Sequence, residues 1–258
     1  MLIFTSTPSC QADFDHRLGG CTTIRGSLYL FGNYTGPLQL PGVTRIGGSL
    51  APYNDSTPNL TSVTADDLVE VGTLEVEGNS SNIYSPQLTV VYEQVEIRTD
   101  AAIVNASPTN GSALDINLFS LVIAPEILLR GNISSLSLPA LASTTRIVNI
   151  YTNHVLNIAF SSLPSIESGL VSSNVPQRRY SIAFPVFQEA ESALEIDITR
   201  RDGGKSSISI PLLSNSSTSI GISAPIRSSL SVVSTLTLNC GSTAAGWTRS
   251  TGRGAQQL

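Results

Sequence analysis

The sequence predicts a mainly β protein, a right-handed solenoid of the β-helix or leucine-rich-repeat kind, opened by a short helical cap. Three observations predict it. A short apolar motif recurs about every two dozen residues. Apolar residues alternate with polar ones on either side of it. Amphipathic helical stretches are scarce.

The motif is an apolar–x–apolar pair, then Pro or a polar substitute, then an apolar residue two positions on. Its clearest copies are Leu38-Gln-Leu40-Pro41-Gly-Val43, Leu136-Ser-Leu138-Pro139-Ala-Leu141 and Ile208-Ser-Ile210-Pro211-Leu-Leu213. Weaker copies centre on Asp66, Pro86, Asn117, Pro164 and Pro185. Successive centres lie 25, 20, 31, 22, 25, 21 and 26 residues apart. That spacing falls within the range of leucine-rich-type repeats. A second apolar pair follows in several copies, as at Leu74-Glu-Val76, Val95-Glu-Ile97 and Ile147-Val148. Each copy reads as one coil of short strands with one face turned inward. Pro cannot continue a ladder and marks a corner. Gly and Asn, as at Gly78-Asn79 and Gly131-Asn132, suit the turns that follow.

Taken in order, residues 1–9 form a residual segment, residues 10–240 the solenoid and residues 241–258 a flexible tail. Residues 11–18 suit a short helix covering the first coil, since a stacked solenoid must close its open ends. The long gap from Pro86 to Asn117 implies an inserted loop over 106–113. Residues 188–194 suit one or two helical turns. Residues 200–205, Arg-Arg-Asp-Gly-Gly-Lys, read as a charged turn. The last strand is expected over 230–238, with Cys240 opening a further cap.

Composition narrows the function. The 258 residues are 41% hydrophobic but only 13% charged, with a net charge of −5 and a single lysine, Lys205. Binding nucleic acid requires a basic patch, and none is present in the sequence; Arg178-Arg179 and Arg200-Arg201 are isolated pairs. No apolar run is long enough to span a membrane as a helix. Ser and Thr together number 61, so the surface is polar and uncharged.

Asn-x-Ser/Thr sequons stand at Asn33, Asn54, Asn59, Asn79, Asn105, Asn110, Asn132 and Asn215, eight of fifteen asparagines. At this Ser/Thr content chance predicts about three or four. The excess points to a secreted, N-glycosylated protein. In an oxidising compartment Cys10 and Cys21 pair locally, while Cys240 pairs beyond the chain or stays buried and free. Residues 1–4 are apolar but lack the basic and long apolar regions of a secretory signal, and residues 241–258 lack a hydrophobic anchor signal. One or both ends of the gene product are therefore expected to extend further.

No catalytic site, cofactor or metal site is predicted. Asp66-Asp67 is the one adjacent acidic pair and sits at a coil corner, where a solvated turn is the simpler reading. His16 and His154 have no cysteine or histidine partners nearby. Gly47-Gly48 and Gly203-Gly204 lack the Lys-Ser/Thr of a phosphate loop.

Residues 21–30, Cys-Thr-Thr-Ile-Arg-Gly-Ser-Leu-Tyr-Leu, resemble the opening of a receptor L-domain. Residues 40–50, Leu-Pro-Gly-Val-Thr-Arg-Ile-Gly-Gly-Ser-Leu, resemble its next coil. Residues 131–141, Gly-Asn-Ile-Ser-Ser-Leu-Ser-Leu-Pro-Ala-Leu, resemble the core coil of the fungal branch. The chain thus resembles the GPI-anchored fungal cell-wall organisation glycoproteins, related to sporulation-specific wall proteins and to the L-domains of growth-factor receptors. The resemblance spans roughly residues 10–240. It implies an L-domain-type solenoid and a non-enzymatic surface protein supporting wall organisation, or else a module binding a wall polysaccharide or a partner protein. It implies a location at the cell wall or outer plasma-membrane surface, with membrane contact only through a family anchor not contained in these residues.

Overall fold

The computed structural model describes residues 10–53, 59–78, 80–99, 113–152, 157–174, 180–199, 206–210, 212, 215–216, 220–223, 229–232, 238–239, 248–251 and 254–257. Their architecture is a β-solenoid of stacked coils. Strands of successive coils pair in parallel, so sequence neighbours two dozen residues apart lie side by side.

The main sheet runs along the whole solenoid. It holds Thr23–Ile24 and Leu28–Leu30, then Arg45–Pro52, Glu70–Gly78, Val90–Thr99, Glu126–Gly131, Ile147–Thr152, Ser165–Asn174, Glu189–Thr199, Ile220–Ser223 and Leu238–Asn239. The opposite wall is split. A second sheet joins Thr35–Gln39, Asn59–Thr64, Asn82–Tyr84, Leu114–Asn117 and Ile133–Ser137. A third continues with Asn157–Ala159, Tyr180–Ala183, Ser206–Ile210, Ser229–Val232 and Thr248–Thr251.

Alternation explains the walls. In the main sheet Leu28, Leu50, Leu74, Val95, Ile127 and Val148 stand in one column, and Leu30, Ile97, Leu129 and Ile150 in another two residues on. All are buried. Leu38, Val63, Ile83, Ile116 and Leu136 answer them from the second sheet. Period-two side chains put every second residue of each strand into this core. Stacking lays like on like, so the core is a set of apolar ladders.

The corner leading back into the main sheet is the most regular part of the fold. Five residues separate Gln39 from Arg45, Thr64 from Glu70, Tyr84 from Val90, Asn117 from Ile123, Ser137 from Ser143, Ala159 from Ser165 and Ala183 from Glu189. The first and fourth of the five point inward: Leu40 and Val43, Ala65 and Leu68, Ser85 and Leu88, Leu118 and Leu121, Leu138 and Leu141, Phe160 and Leu163, Phe184 and Phe187. An i→i+3 hydrogen bond closes the turn, as from Val43 N–H to Leu40 C=O (3.3 Å) and Leu121 N–H to Leu118 C=O (3.1 Å). Pro41, Asp66, Pro86, Pro139 and Pro185 begin these turns, as the motif predicts. Two corners differ from the sequence reading. They begin at Phe119 and Ser161, not at Asn117 and Pro164, because burial of the flanking Leu118 and Leu121, and of Phe160 and Leu163, sets the phase.

Two buried hydroxyls are satisfied between coils, whereas that of Thr144 has no partner. Ser85 Oγ donates to the Ala65 carbonyl (3.1 Å), and Thr152 Oγ1 to the Ile133 carbonyl (3.2 Å). Glycines serve where consecutive coils touch. A Cβ on Gly72 would meet the Gly48 carbonyl oxygen at 2.6 Å. Gly131, at φ +133°, backs onto the Thr99 hydroxyl, which accepts the Asn132 N–H (3.1 Å).

The helix Gln11–Leu18 forms as expected and buries Phe14 and Leu18 on the first coil. Its Gln11 amide pairs with the free edge of Thr35–Gln39: Nε2 donates to the Gln39 carbonyl (2.9 Å) and Oε1 accepts the Gln39 N–H (2.7 Å). One side chain thus supplies the two bonds of a missing neighbour strand, protecting an edge that would otherwise recruit another chain.

Thr248–Thr251 lies parallel to Ser229–Val232 and antiparallel to Gly254–Gln257. Two expectations change. Residues 189–194 belong to the strand Glu189–Thr199, because parallel pairing with Ser165–Asn174 satisfies their backbone. Cys10 and Cys21 are free thiols, not a disulfide. The helix between them advances the chain roughly 12 Å. Cys21 N–H donates to Leu18 C=O (2.8 Å) and so sits at the far helix end. A disulfide needs Cα atoms within about 7 Å. The inserted loop 106–113 apart from its last residue, the turn 200–205, His154 and Cys240 lie outside the described residues.

Two predictions follow from this packing. Leu121→Ala, which empties a ladder position, should cost about 2–5 kcal/mol. Phe119→Ala, at an exposed turn position two residues away, should change stability by less than about 0.5 kcal/mol. Urea midpoints of the two variants test the pair, and equal losses would refute the corner phase. Alkylation of the unreduced protein should label both Cys10 and Cys21; a mass lower by the two labels would show that they are bridged.

Candidate binding face

The outer side of the main sheet is where sequence-distant side chains gather. In register, Glu77, Arg98, Arg130 and Tyr151 form one column across four coils. Arg98 Nη1 donates to Glu77 Oε1 (2.8 Å), and its Nη2 bonds Glu96 Oε1 on its own strand. Burial alone would lower the Arg98 pKa; Glu96 and Glu77 outweigh it, and the guanidinium is held above its ordinary value. The Arg130 guanidinium carbon lies 5.2 Å from the centroid of the Tyr151 ring, a cation–π contact.

Nearer the strand starts the pattern repeats at lower density. Arg45 pairs with Glu70 (3.4 Å) and Arg146 with Glu126 (3.2 Å), each between neighbouring coils. Such exposed pairs are worth little singly. Together they cancel charge along a sheet whose columns would otherwise stack like charges. Glu75, Glu77 and Glu96 are carboxylates brought together on adjacent coils. The sequence reading did not single them out. The signal was available: Leu74-Glu-Val-Glu and Val95-Glu-Ile-Arg repeat with an offset of 21 residues. Arg98 engages two of these three, so the arrangement is a charge-compensated ladder.

At the capped end the same face is aromatic. The Phe31 and Tyr53 rings stack with centroids 4.2 Å apart and planes 24° apart. Tyr29 meets Tyr53 edge-on at 5.8 Å. Tyr53 N–H donates to Leu30 C=O (2.7 Å), holding the two coils together at this point.

The two edges of the main sheet differ. At the regular corner, Val69, Thr89 and Val122 follow one another through N–H to C=O bonds, and Val90 pairs with Ile123. Val69, Val122, Ile123 and Phe119 are exposed there, with Tyr92 nearby. Tyr92 donates its hydroxyl to Glu70 Oε2 (3.0 Å), which holds it protonated above the usual tyrosine range. With Leu212, in the turn before Asn215–Ser216, six of the seven exposed large apolar residues among those described sit on this one edge.

The other edge carries the sequons. Asn33 lies exposed in the turn before Thr35–Gln39, Asn59 is exposed and opens Asn59–Thr64, and Asn132 is half-buried between Glu126–Gly131 and Ile133–Ser137. Asn54, Asn79, Asn105 and Asn110 lie outside the described residues. In sequence they fall in the connections that leave the main sheet after Pro52, Gly78 and Thr99. Asn215 alone falls at the opposite corner, in the strand Asn215–Ser216 beside Glu189. Among the described residues Asn33, Asn59 and Asn132 thus stand on one edge and Asn215 on the other.

Three further candidates fall among the described residues. Asp67 Oδ2 accepts the Gly42 N–H (3.0 Å), tying one corner turn to the next, and Asp66 is exposed beside it. His16 is exposed on the cap helix. No cluster of three metal-ligating side chains occurs among the described residues, and no helix there is long and apolar enough to cross a membrane.

Comparison with known proteins finds no matching family model, no similar curated protein and no similar solved structure.

Tyr34 yields a pH prediction. Its buried hydroxyl donates to the Pro37 carbonyl (2.8 Å). Burial first, then the charges of Cys10 and Asp15, push its pKa up from 10.0 to about 12. Between those values the unfolded chain has lost the proton and the folded one has kept it. The stabilisation is therefore complete below pH 10 and declines as pH rises to about 12. Tyr34→Phe should lose about 1 kcal/mol at neutral pH and flatten this alkaline decline. Urea midpoints from pH 8 upward test it; an unchanged alkaline slope would assign the decline elsewhere.

Proposed function

We infer that this chain is a non-enzymatic, N-glycosylated cell-surface protein that supports cell-wall organisation. The observation that carries this reading is the excess of sequons in the sequence, with the three described between the main and second sheets, Asn33, Asn59 and Asn132, all on one edge of the solenoid. Glycans on that edge shield it and leave the main sheet and the opposite edge open. Secretion and glycosylation are the economical reason for so many acceptors on surface connections. In this reading the coil is right-handed and of the receptor L-domain type, as in the fungal wall-organisation glycoproteins that the sequence resembles. Its neighbours are wall polysaccharide or other surface proteins, and any membrane attachment comes through an anchor of the family's kind.

The mechanism is passive. Coils in register hold the outer face of the main sheet at fixed spacing, about 4.8 Å per coil. A stiff face of this kind bridges neighbouring polymers without reorganising, so little ordering cost opposes contact.

A second reading, a ligand-binding module, is favoured by the exposed apolar edge around Val69, Tyr92, Phe119, Val122 and Ile123. A saturable ligand on a glycan array or in a pull-down, lost in Phe119→Ser with Ile123→Ser, would favour it.

The first reading is tested in cells. Tagged protein should partition to the wall and surface fractions and lose a large mass on enzymatic N-glycan removal. An unglycosylated intracellular product would refute it. Loss of wall-polymer turnover on Asp66→Ala with Asp67→Ala would refute the non-enzymatic part.

A further inference from the structure

We propose that the aromatic stack at the capped end is a docking platform for the first sugar of an N-glycan on Asn33. This rests on the glycoprotein reading above and assigns one sequon a structural role.

The geometry is local. Residues 31–35 read Phe-Gly-Asn-Tyr-Thr. Tyr34 N–H donates to Phe31 C=O (2.9 Å), closing a four-residue turn with Phe31 first and Asn33 third. The ends of such a turn lie within about 7 Å, so a sugar on the third residue reaches the ring on the first. Asn33 and Thr35 are both exposed, as a glycosylating enzyme requires of the acceptor and of the hydroxyl it reads.

The platform is built before any sugar arrives. Phe31 is stacked on Tyr53 from the next coil, and Tyr29 braces Tyr53 at its edge. Phe31 keeps part of its surface open, and Tyr53 is 36% exposed. Three aromatic rings gathered at a surface corner bury less apolar area than they would in the core. The face of N-acetylglucosamine offers the missing cover. Its axial C–H bonds carry partial positive charge and meet the negative face of an aromatic ring favourably. Tyr53 comes from the second coil, so a sugar seated on the pair would clamp the first two coils together. At this end the first strands of the main sheet have a neighbouring strand on one side only.

The turn also explains the placement. Tyr34, between Asn33 and Thr35, is fully buried and anchored to the Pro37 carbonyl. The acceptor is thus held on a fixed turn, and the sugar is presented to the rings with little conformational cost.

The test uses the full chain secreted from a eukaryotic host, with glycans trimmed to a single N-acetylglucosamine. Peptide mass mapping reads occupancy at each sequon, and calorimetry reads Tm. Asn33→Gln should lower Tm by about 2–4 °C in the parent chain and by much less in a Phe31→Ala background. Thr35→Ala, which removes the glycan and keeps Asn33, should reproduce the loss. Phe31→Leu keeps apolar bulk without a ring and should also abolish the coupling, so the test survives if Phe31→Ala fails to fold. Equal losses in both backgrounds would overturn the proposal, as would an empty Asn33 on a chain glycosylated elsewhere. A secreted chain with no N-glycan at all would overturn the glycoprotein reading, and this proposal with it.

Discussion

A single coil of this protein has two short strands and no partner within itself for their N–H and C=O groups. Every such group must be met by the coil before or after it. Parallel, in-register stacking is therefore the condition on which all else depends. It brings Leu74 under Val95 and Val95 under Ile127, so the core is inherited column by column. It also obliges the outer face to stack, which is why Glu77, Arg98 and Arg130 meet although the sequence separates them by 21 and 32 residues. The same constraint makes the ends vulnerable, and the cap helix answers it with one glutamine amide and two buried side chains, Phe14 and Leu18.

Stacking also decides where charge is tolerated. Parallel columns place identical positions of neighbouring coils beside one another, and like charges there repel. The chain offsets this with opposite charges on neighbouring coils, Arg45 against Glu70, Arg98 against Glu77 and Arg146 against Glu126, and Arg98 also reaches Glu96 where Glu75 and Glu96 stand in register. Elsewhere it uses Ser and Thr, whose hydroxyls reach the carbonyls of the preceding coil. Thr44 donates to Thr22 (3.0 Å) and Thr89 to Val69 (3.1 Å). The low charge and high Ser/Thr content of the composition find their physical reason here.

Much of the fold was legible because its signal is local and repeated. Leu40-Pro41-Gly-Val43 states a buried residue, a turn and a second buried residue in four letters. The cap helix was legible from its place before the first coil. The phase of two corners was not. At residues 118–121 the turn is Phe119-Ser120 and at 160–163 it is Ser161-Ser162, and neither pair carries a residue that marks a turn as Pro does. Pro164 misled because it falls just past its turn. Residues 189–194 look helical in isolation, and only the partner strand Ser165–Asn174 decides otherwise. The outer face was least legible. Glu77 and Arg98 are an ion pair only if the repeat length between them is 21, a number that depends on the irregularity between Val71 and Thr73 in the pairing with Val91 and Gln94.

The contrast between the two corners accounts for the asymmetry of the surface. The corner entering the main sheet has the same five residues in seven successive coils, two of them buried, and its turns are tied to one another. An insertion there would throw the following strand out of register and turn its apolar side chains outward. The corner leaving the main sheet carries no such rule. It is one residue long at Asn132 and fourteen between Thr99 and Leu114. Variable connection length and sequons accumulate where register is not at stake. Sequons belong on that edge for the same reason that insertions do. The regular edge is closed to insertions, and it is there that Val69, Phe119, Val122 and Ile123 meet solvent. A protein built this way separates an edge of variable connections from an edge of fixed ones without any element dedicated to the purpose.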